Sequence, residues 1–190
     1  MPRLAILLSG GGSNFQALLD NKLVGEIVLC ISNRQQAYGL ERARNHNIDS
    51  YVVRDNHKLL ALLNDYQIDY ILLAGYLKIL PKEIIEAYPK RILNIHPSLI
   101  PKYCGAGYYG EKVHQAVLDN KESETGVTIH LVDEGVDTGE ILAQQKVQVK
   151  ADDTVESLSQ RVLEVEHSLY YQTVNDYIKK QEEEHENSFN

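Results

Sequence analysis

An asparagine and a histidine two residues apart, Asn94 and His96, are the side chains of this sequence best suited to chemistry. They stand at the end of an apolar run that reads as a buried strand, and strand alternation places both on the same face. Pro97 restricts His96 to extended backbone. An amide can donate to a developing oxyanion, and an imidazole can transfer protons near neutral pH. The alternative is a turn that these polar residues merely cap.

A glycine-rich loop at 9–14, Ser-Gly-Gly-Gly-Ser-Asn, follows the first apolar run and opens a helical pattern. Glycines let the backbone approach an anion, and N–H groups at a helix N-terminus bind phosphate. The loop lacks the third glycine of a dinucleotide fingerprint, because Phe15 stands there, and it lacks the Gly-Lys-Ser/Thr of a P-loop. The sequence leaves two interpretations open: a site for a monophosphate and a simple tight turn.

A third segment, 126–139, carries carboxylates in a loop between two apolar runs. One of them could orient a histidine and stabilise its charged form, although an acidic hairpin loop would show the same spacing. The other histidines lack the spacing of a metal site, so we expect no metal. Cys30 and Cys104 provide neither a disulfide framework nor ligand spacing, and no feature marks Cys104 as a nucleophile.

The elements that must position these residues alternate between strand and helix through the first half of the chain. We predict buried strands at 4–8, 27–31, 51–53, 70–74 and 92–95. Helical spacing lies between them at 14–20, 37–45, 57–66 and 81–88. This alternation predicts an α/β fold with a Rossmann-like, doubly wound, mostly parallel sheet. Two longer strands at 127–132 and 140–149 are expected to add an antiparallel pair.

A long C-terminal helix completes the predicted order of elements. Asp153 and Glu156 have the spacing of a capping box, and apolar residues from Val155 to Leu169 then recur every three or four positions. Residues 181–190 are polar and acidic, and we expect a frayed tail there. The sequence therefore predicts one domain at 1–180 and a tail at 181–190.

Composition excludes several classes of protein. The chain has 190 residues, 43% of them hydrophobic and 24% charged, which fits one globular domain. A formal net charge of −8 disfavours long nucleic acids as partners, although a local loop can still hold a phosphate. No apolar run is long enough to span a membrane, and the first residues predict a buried strand rather than a signal peptide. We therefore expect a cytoplasmic protein that binds neither nucleic acid nor membrane.

Five motifs in this order resemble the phosphoribosylglycinamide formyltransferases, of the folate-dependent formyltransferase family. They are the loop at 9–14, Leu-Ala-Gly-Tyr-Leu-Lys-Ile-Leu at 73–80, Asn-Ile-His-Pro-Ser-Leu-Ile-Pro at 94–101, the segment 126–139 and Glu-His at 166–167. The resemblance runs from residue 3 to about residue 175. The block at 94–99, joined to Gly-x-Thr-x-His and Asp-x-Gly, is strongly indicative of a folate formyltransferase, and the phosphate loop narrows the resemblance to this group.

The resemblance implies formyl transfer from 10-formyltetrahydrofolate, a co-substrate, to the amine of glycinamide ribonucleotide in de novo purine biosynthesis. The catalytic residues it implies are Asn94, His96 and Asp137. Asn94 and protonated His96 would stabilise the oxyanion, and Asp137 would stabilise the imidazolium. For the acceptor, the implied contacts are Gly12, Ser13, Asn14 and Glu166. For the folate, they are Leu77, Lys78, Ile79, Leu80, Asn94, Asp133 and Asp137.

Two features depart from the family pattern. The stretch between Val53 and Asp69 is shorter than in familiar members, and the basic folate contact usually found there has no clear counterpart. Lys78 stands where many members have arginine, so bidentate pairing with a carboxylate is not possible there. Arg54, Lys58 and Lys78 are the candidates for the folate tail. We expect the protein to be a monomer or a homodimer.

Three other functions are weighed against this one. A formyltetrahydrofolate hydrolase would share Asn94, His96 and Asp137, but its phosphate loop would have no purpose, and an N-terminal regulatory domain would be expected. Formylation of methionyl-tRNA would require a tRNA-binding C-terminal domain and a basic surface. A nucleotide-binding module without catalysis would need the loop at 10–14 and none of the three catalytic residues.

Overall fold

A seven-stranded sheet is the framework of the computed structural model, which describes residues 1–187. In chain order its strands are β1 (Arg3–Leu8), β2 (Glu26–Ser32), β3 (Asp49–Val52), β4 (Tyr70–Leu73), β5 (Ile92–His96), β6 (Glu124–Leu131) and β7 (Ile141–Gln148). The helices are α1 (Ser13–Leu19), α2 (Gly39–Asn45), α3 (Asn56–Asp65), α4 (Lys82–Ala87), α5 (Glu111–Asp119) and α6 (Val155–Asn187).

The strands lie in the order β3-β2-β1-β4-β5-β6-β7. The first five strands pair in parallel, and β6 and β7 are antiparallel. Helices connect the parallel strands, as crossover connections require. The α/β doubly wound sheet, its antiparallel C-terminal pair and the long last helix are therefore confirmed.

Two hydrophobic clusters cover the two faces of the sheet. Alternate residues of β1 belong to different clusters: Leu4, Ile6 and Leu8 pack with α1 and α6, while Ala5 and Leu7 pack with α3 and α4. All five side chains are fully buried. A strand buried on both faces has a continuous apolar sequence, and this explains the run at 4–8.

Helix α6 is fixed to the centre of the sheet through Tyr170. This side chain is fully buried, and its hydroxyl lies 2.8 Å from the carbonyl oxygen of Leu73 and 3.1 Å from that of Leu93. These two contacts hold α6 against β4 and β5. Glu166, one helical turn before Tyr170, is buried on the same side of the helix.

The structure differs from the sequence predictions at three places. Helix α5 was not predicted, because it is only nine residues long and follows a run of glycine and tyrosine that indicates a loop. The cap of α6 is formed by Thr154 and Ser157 rather than by the predicted capping box, since Asp153 instead makes a bidentate pair with Arg161. No helix within the described residues is long and apolar enough to cross a membrane.

The third difference concerns the predicted frayed tail at 181–190. Helix α6 continues without a break to Asn187, and residues 188–190 lie outside the described part of the chain. Residues such as Glu, Gln and Lys have high helix propensity, and the pair Lys180–Glu184 at 3.8 Å adds to it. The division into a domain at 1–180 and a tail at 181–190 stays a prediction, and helix α6 runs through the boundary at residue 180.

Candidate active site

A cavity of about 370 Å³ opens where β4 and β5 end. This volume lies in the range of ligand pockets, and the carboxyl ends of parallel strands are the usual place for them. One side is the segment 75–80 after β4, here called the wall segment. The loops 105–110 and 133–137 form the other sides. The cavity brings together eight residues predicted from the sequence: Leu77, Lys78, Ile79, Leu80, Asn94, His96, Asp133 and Asp137.

Asp137 is at the centre of the polar cluster in this cavity. Its Oδ2 lies 3.6 Å from His96 Nδ1 and accepts a hydrogen bond from the Gly105 N–H at 3.0 Å. Its Oδ1 lies 3.5 Å from both Asn94 Nδ2 and His130 Nε2. The φ of Asp137 is 56°, in the left-handed region, which aspartate tolerates better than most residues. The three predicted catalytic side chains therefore form one group.

The protonation of His96 follows from its partners. Its Nε2 lies 2.8 Å from the Tyr103 carbonyl oxygen, which can only accept, so Nε2 carries a hydrogen and Nδ1 faces Asp137. Burial lowers the pKa of His96 below its ordinary value of 6.5, and outweighs the Tyr103 carbonyl and the Asp137 carboxylate, which act in the opposite direction. In the unliganded protein the ring is therefore neutral at pH 7, with a free lone pair on Nδ1.

Asp137 is ionised under the same conditions. Burial alone would raise its pKa, but the proximity of His130, the hydrogen bond from the Gly105 N–H and the influence of His96 prevail and hold the pKa below 3.8. Asp133, the other carboxylate predicted here, does not contact His96. Its Oδ1 accepts from the Gly135 N–H and the Thr138 hydroxyl, so this residue shapes the loop that carries Asp137.

His130 belongs to the cluster and was not predicted. Its Nδ1 donates to the Leu131 carbonyl, so Nε2 accepts a 3.1 Å hydrogen bond from Asn94 Nδ2. This contact fixes the direction of the Asn94 amide. The cause is strand register, because Asn94 and His130 are directly paired across β5 and β6. The sequence contains the histidine, but the strand register that pairs two residues 36 positions apart in the chain cannot be derived from it.

The wall segment is apolar and partly exposed, with Leu77 at 44% and Ile79 at 69% exposure. Such exposed aliphatic side chains beside a cavity suit the flat ring of a ligand. Of the three basic candidates, Lys78 lines the cavity and Arg54 and Lys58 do not. The Lys78 ammonium donates to the Arg54 carbonyl and to Asn56 Oδ1.

The glycine loop lies between β1 and α1 and is outside this cavity. Gly12 has a φ of 71°, and a Cβ there would lie 2.9 Å from Gly39 Cα, so the fold itself requires this glycine. Gly10 and Gly11 differ, because a Cβ on either would meet nothing within 4 Å. Arg42, not predicted from the sequence, donates to the Gly11 carbonyl at 2.8 Å and places a cation beside the loop.

Asn14 and Glu166 form a buried pair next to this loop. Asn14 Nδ2 donates to Glu166 Oε2 at 2.7 Å, and burial raises the pKa of Glu166 to about 7 although this hydrogen bond acts in the opposite direction. The Asn14 Oδ1 atom is buried without a partner. The predicted acceptor residues Gly12, Ser13, Asn14 and Glu166 thus lie together, apart from the cavity. Within residues 1–187, no group of histidine, cysteine and carboxylate side chains has the arrangement of a metal site.

Comparison with known proteins agrees with this geometry. The family model described as formyl transferase matches residues 2–174. The chloroplastic phosphoribosylglycinamide formyltransferase of Arabidopsis thaliana is 45% identical over 186 residues, which cover 90% of this chain and 64% of the relative. The chain thus spans less than two thirds of that relative.

Solved structures show the same similarity. Glycinamide ribonucleotide transformylase 1 from Symbiobacterium toebii superposes with a TM-score of 0.86 at 37% identity, over 92% of this chain and 86% of that one. A formyltetrahydrofolate deformylase from Pseudomonas syringae pv. tomato gives a TM-score of 0.85 at 25% identity, over 94% of this chain and 62% of that one. Since the family model covers nearly the whole sequence, this chain belongs to the formyl transferase family.

Proposed function

We propose that this chain transfers the formyl group of 10-formyltetrahydrofolate to the primary amine of glycinamide ribonucleotide, a step of de novo purine biosynthesis. The observation that carries the proposal is the cluster of Asn94, His96 and Asp137 inside a cavity bounded by the wall segment. The names of the relatives from Arabidopsis thaliana and Symbiobacterium toebii support the choice of acceptor.

In this reaction the cluster manages one proton and one negative charge. The Asn94 amide donates to the oxygen of the formyl group as it becomes an oxyanion. Neutral His96 accepts the proton that the attacking amine loses, on Nδ1, and the Asp137 carboxylate at 3.6 Å stabilises the imidazolium formed. The imidazolium then returns the proton to the departing folate nitrogen. His96 is thus charged during the reaction rather than before it.

The wall segment is the proposed folate site. A folate has a flat bicyclic ring and an anionic tail, and the cavity is lined by the exposed Leu77 and Ile79 together with Lys78, the basic residue of this segment. Lys78 is our choice for the tail, because Arg54 and Lys58 do not line the cavity.

The glycine loop is the proposed phosphate site of the acceptor. Packing gives no reason for glycine at positions 10 and 11, where a Cβ would meet nothing, and close approach of a ligand would provide one. The first N–H groups of α1 have no intrahelical acceptor and can donate to phosphate oxygens. Glu166, paired with Asn14, would contact the remainder of the acceptor.

Hydrolysis of 10-formyltetrahydrofolate is the second candidate, favoured by the similarity to the deformylase from Pseudomonas syringae pv. tomato. Water would replace the amine as nucleophile, and the same cluster would serve. The two open glycines and the Asn14–Glu166 pair favour the transferase, since water does not require a second binding site. The predicted cytoplasmic location and the predicted monomer or homodimer stay predictions.

An absorbance assay of 10-formyltetrahydrofolate consumption, with and without glycinamide ribonucleotide, separates the candidates. We expect consumption that depends on the acceptor and yields formylglycinamide ribonucleotide in equal amount. Consumption at the same rate without the acceptor, releasing formate, would establish the hydrolase. No consumption in either mixture, with the nucleotide still bound, would leave a binding module.

A further inference from the structure

Ser9 uses its main chain and its hydroxyl to connect three segments of the chain. It is 3% exposed and stands between β1 and the first glycine of the loop. Its N–H donates to the Gly75 carbonyl at 2.9 Å. Its hydroxyl donates to Asn33 Oδ1 at 2.6 Å and accepts from the Leu77 N–H at 2.8 Å. Both hydrogen-bonding capacities of this buried hydroxyl are therefore used.

These contacts are part of a closed ring of hydrogen bonds. The next contact joins Asn33 to Arg54: Arg54 Nε donates to the main-chain carbonyl of Asn33 at 3.2 Å. Lys78 Nζ in turn donates to the main-chain carbonyl of Arg54 at 2.6 Å. Lys78 follows Leu77 in the chain, and the Leu77 N–H donates to the Ser9 hydroxyl, which closes the ring. The ring thus links the start of the glycine loop to the one basic side chain among the three candidates that lines the cavity.

The wall segment depends on this ring for its position. Residues 76–80 belong to no strand or helix in the described part of the chain, so no ladder fixes their backbone. The main-chain hydrogen bond from the Ser9 N–H to the Gly75 carbonyl holds the start of this segment, and the hydrogen bond from the Leu77 N–H to the Ser9 hydroxyl holds the backbone beside Lys78. Without the Ser9 hydroxyl, the Leu77 N–H and the Asn33 amide oxygen would both lose a partner.

We propose that Ser9 is a positioning residue for the folate co-substrate: it holds the wall segment, and through the ring the Lys78 ammonium, in place beside the acceptor loop. This inference rests on the proposed function. Ser9 acts through Leu77 and Lys78 and touches none of the reacting atoms. Asn94, His96 and Asp137 lie on β5 and in the loop after β6, outside the ring. Its loss should therefore weaken folate binding and leave the chemical step nearly intact.

The variant that tests this is Ser9→Ala, with Ser32→Ala as its matched control. Ser32 is also a buried serine at a strand end, and its hydroxyl accepts from the Arg34 N–H without contacting the wall segment. We expect Ser9→Ala to weaken binding of 10-formyl-5,8-dideazafolate, measured by calorimetry without acceptor, by about tenfold. The KM for 10-formyltetrahydrofolate should rise by the same factor, kcat should stay within about twofold, and Ser32→Ala should change neither.

Two further measurements keep the inference testable if Ser9→Ala folds poorly. Asn33→Ala breaks the ring at its next member and should also weaken folate binding. In a double-mutant cycle, Ser9→Ala should cost less affinity in a Lys78→Met background than in the wild type, because both changes act on the same ring.

The outcomes distinguish the inference from the proposed function. If the wild-type protein binds no folate, the proposed function fails. If the wild type binds the folate and Ser9→Ala and Asn33→Ala bind it equally well, or if Ser9→Ala lowers kcat with the KM unchanged, the assignment of Ser9 is overturned.

Discussion

The unprotonated nitrogen of His96 faces a carboxylate: Nδ1 lies 3.6 Å from Oδ2 of Asp137, while the Nε2–H donates to the Tyr103 carbonyl. A proton that arrives on Nδ1 completes an ion pair, and a proton that leaves restores a neutral buried ring. Burial favours the neutral state and outweighs Asp137, which favours the charged state, so the imidazole is neutral at rest and has a carboxylate beside it when it takes up a proton. This is the property required of a group that accepts a proton in one step and returns it in the next.

Asn94, which donates to the formyl oxygen, and His96, which transfers the proton, should each be required for most of the activity. His96→Ala and Asn94→Ala should each lower kcat by about a hundredfold or more, with the fold retained. His57→Ala, which removes an exposed imidazole from α3, is the control and should retain normal turnover. Near-normal turnover of His96→Ala would show that the assigned chemistry is wrong.

The pH dependence of the reaction should report the charge of Asp137. The carboxylate raises the pKa of His96, so Asp137→Asn should lower it further. If the neutral ring is the active form, kcat/KM rises with pH through the His96 pKa, and this limb should move to lower pH in the variant while kcat falls. Asp65→Asn, at the exposed end of α3, should leave the profile in place. A profile and a turnover both unchanged in Asp137→Asn would remove Asp137 from the mechanism.

His130 should contribute through the orientation of Asn94. Its Nε2 accepts from the Asn94 amide at 3.1 Å, and we expect His130→Ala to lower kcat by about tenfold, less than the loss of Asn94 itself. In the double variant with Asn94→Ala, the effect of His130→Ala should largely disappear. Two effects that simply multiply would indicate that His130 acts on its own.

Glu166 should make the stability of the protein depend on pH. Its folded pKa of about 7 lies above its ordinary value of 4.5, so between these pH values the folded chain holds a proton that the unfolded chain has lost. The free energy of unfolding should therefore fall as the pH rises through this window, by on the order of 3 kcal/mol at most. Urea unfolding at pH 5 and pH 8 should show a smaller fall in Glu166→Gln than in the wild type. Glu164→Gln, an exposed neighbour on α6, should behave like the wild type.

The sequence predicted those features that depend on one segment at a time. Alternation along β5 placed Asn94 and His96 on one side, and both line the cavity. The pairing of Asn94 with His130 depends on the register between two strands, and the ring through Ser9 depends on contacts between three segments. Neither relationship leaves a periodic signal in the sequence.

Local competition explains the remaining differences. Asp153 has the spacing of a cap, but the guanidinium of Arg161 two turns along offers it a stronger, bidentate partner, and Thr154 then caps the helix. The charged residues after position 180 predicted a solvent-exposed segment, and residues 182–187 are exposed. Their charge could not show that the same residue types would extend α6 to Asn187.

In the proposed reaction, the formyl group is delivered to an acceptor held by its phosphate at the glycine loop. The most direct measurement is the rate of formylated product with glycinamide ribonucleotide compared with its dephosphorylated form. Binding energy from the remote phosphate positions the amine, so kcat/KM should fall by at least a hundredfold without it, while folate affinity stays the same. Ser13→Asp should produce a similar loss with the intact acceptor, because a fixed negative charge opposes the anion. Equal rates of transfer to both acceptors would contradict the proposed phosphate site and show that the loop is only a tight turn.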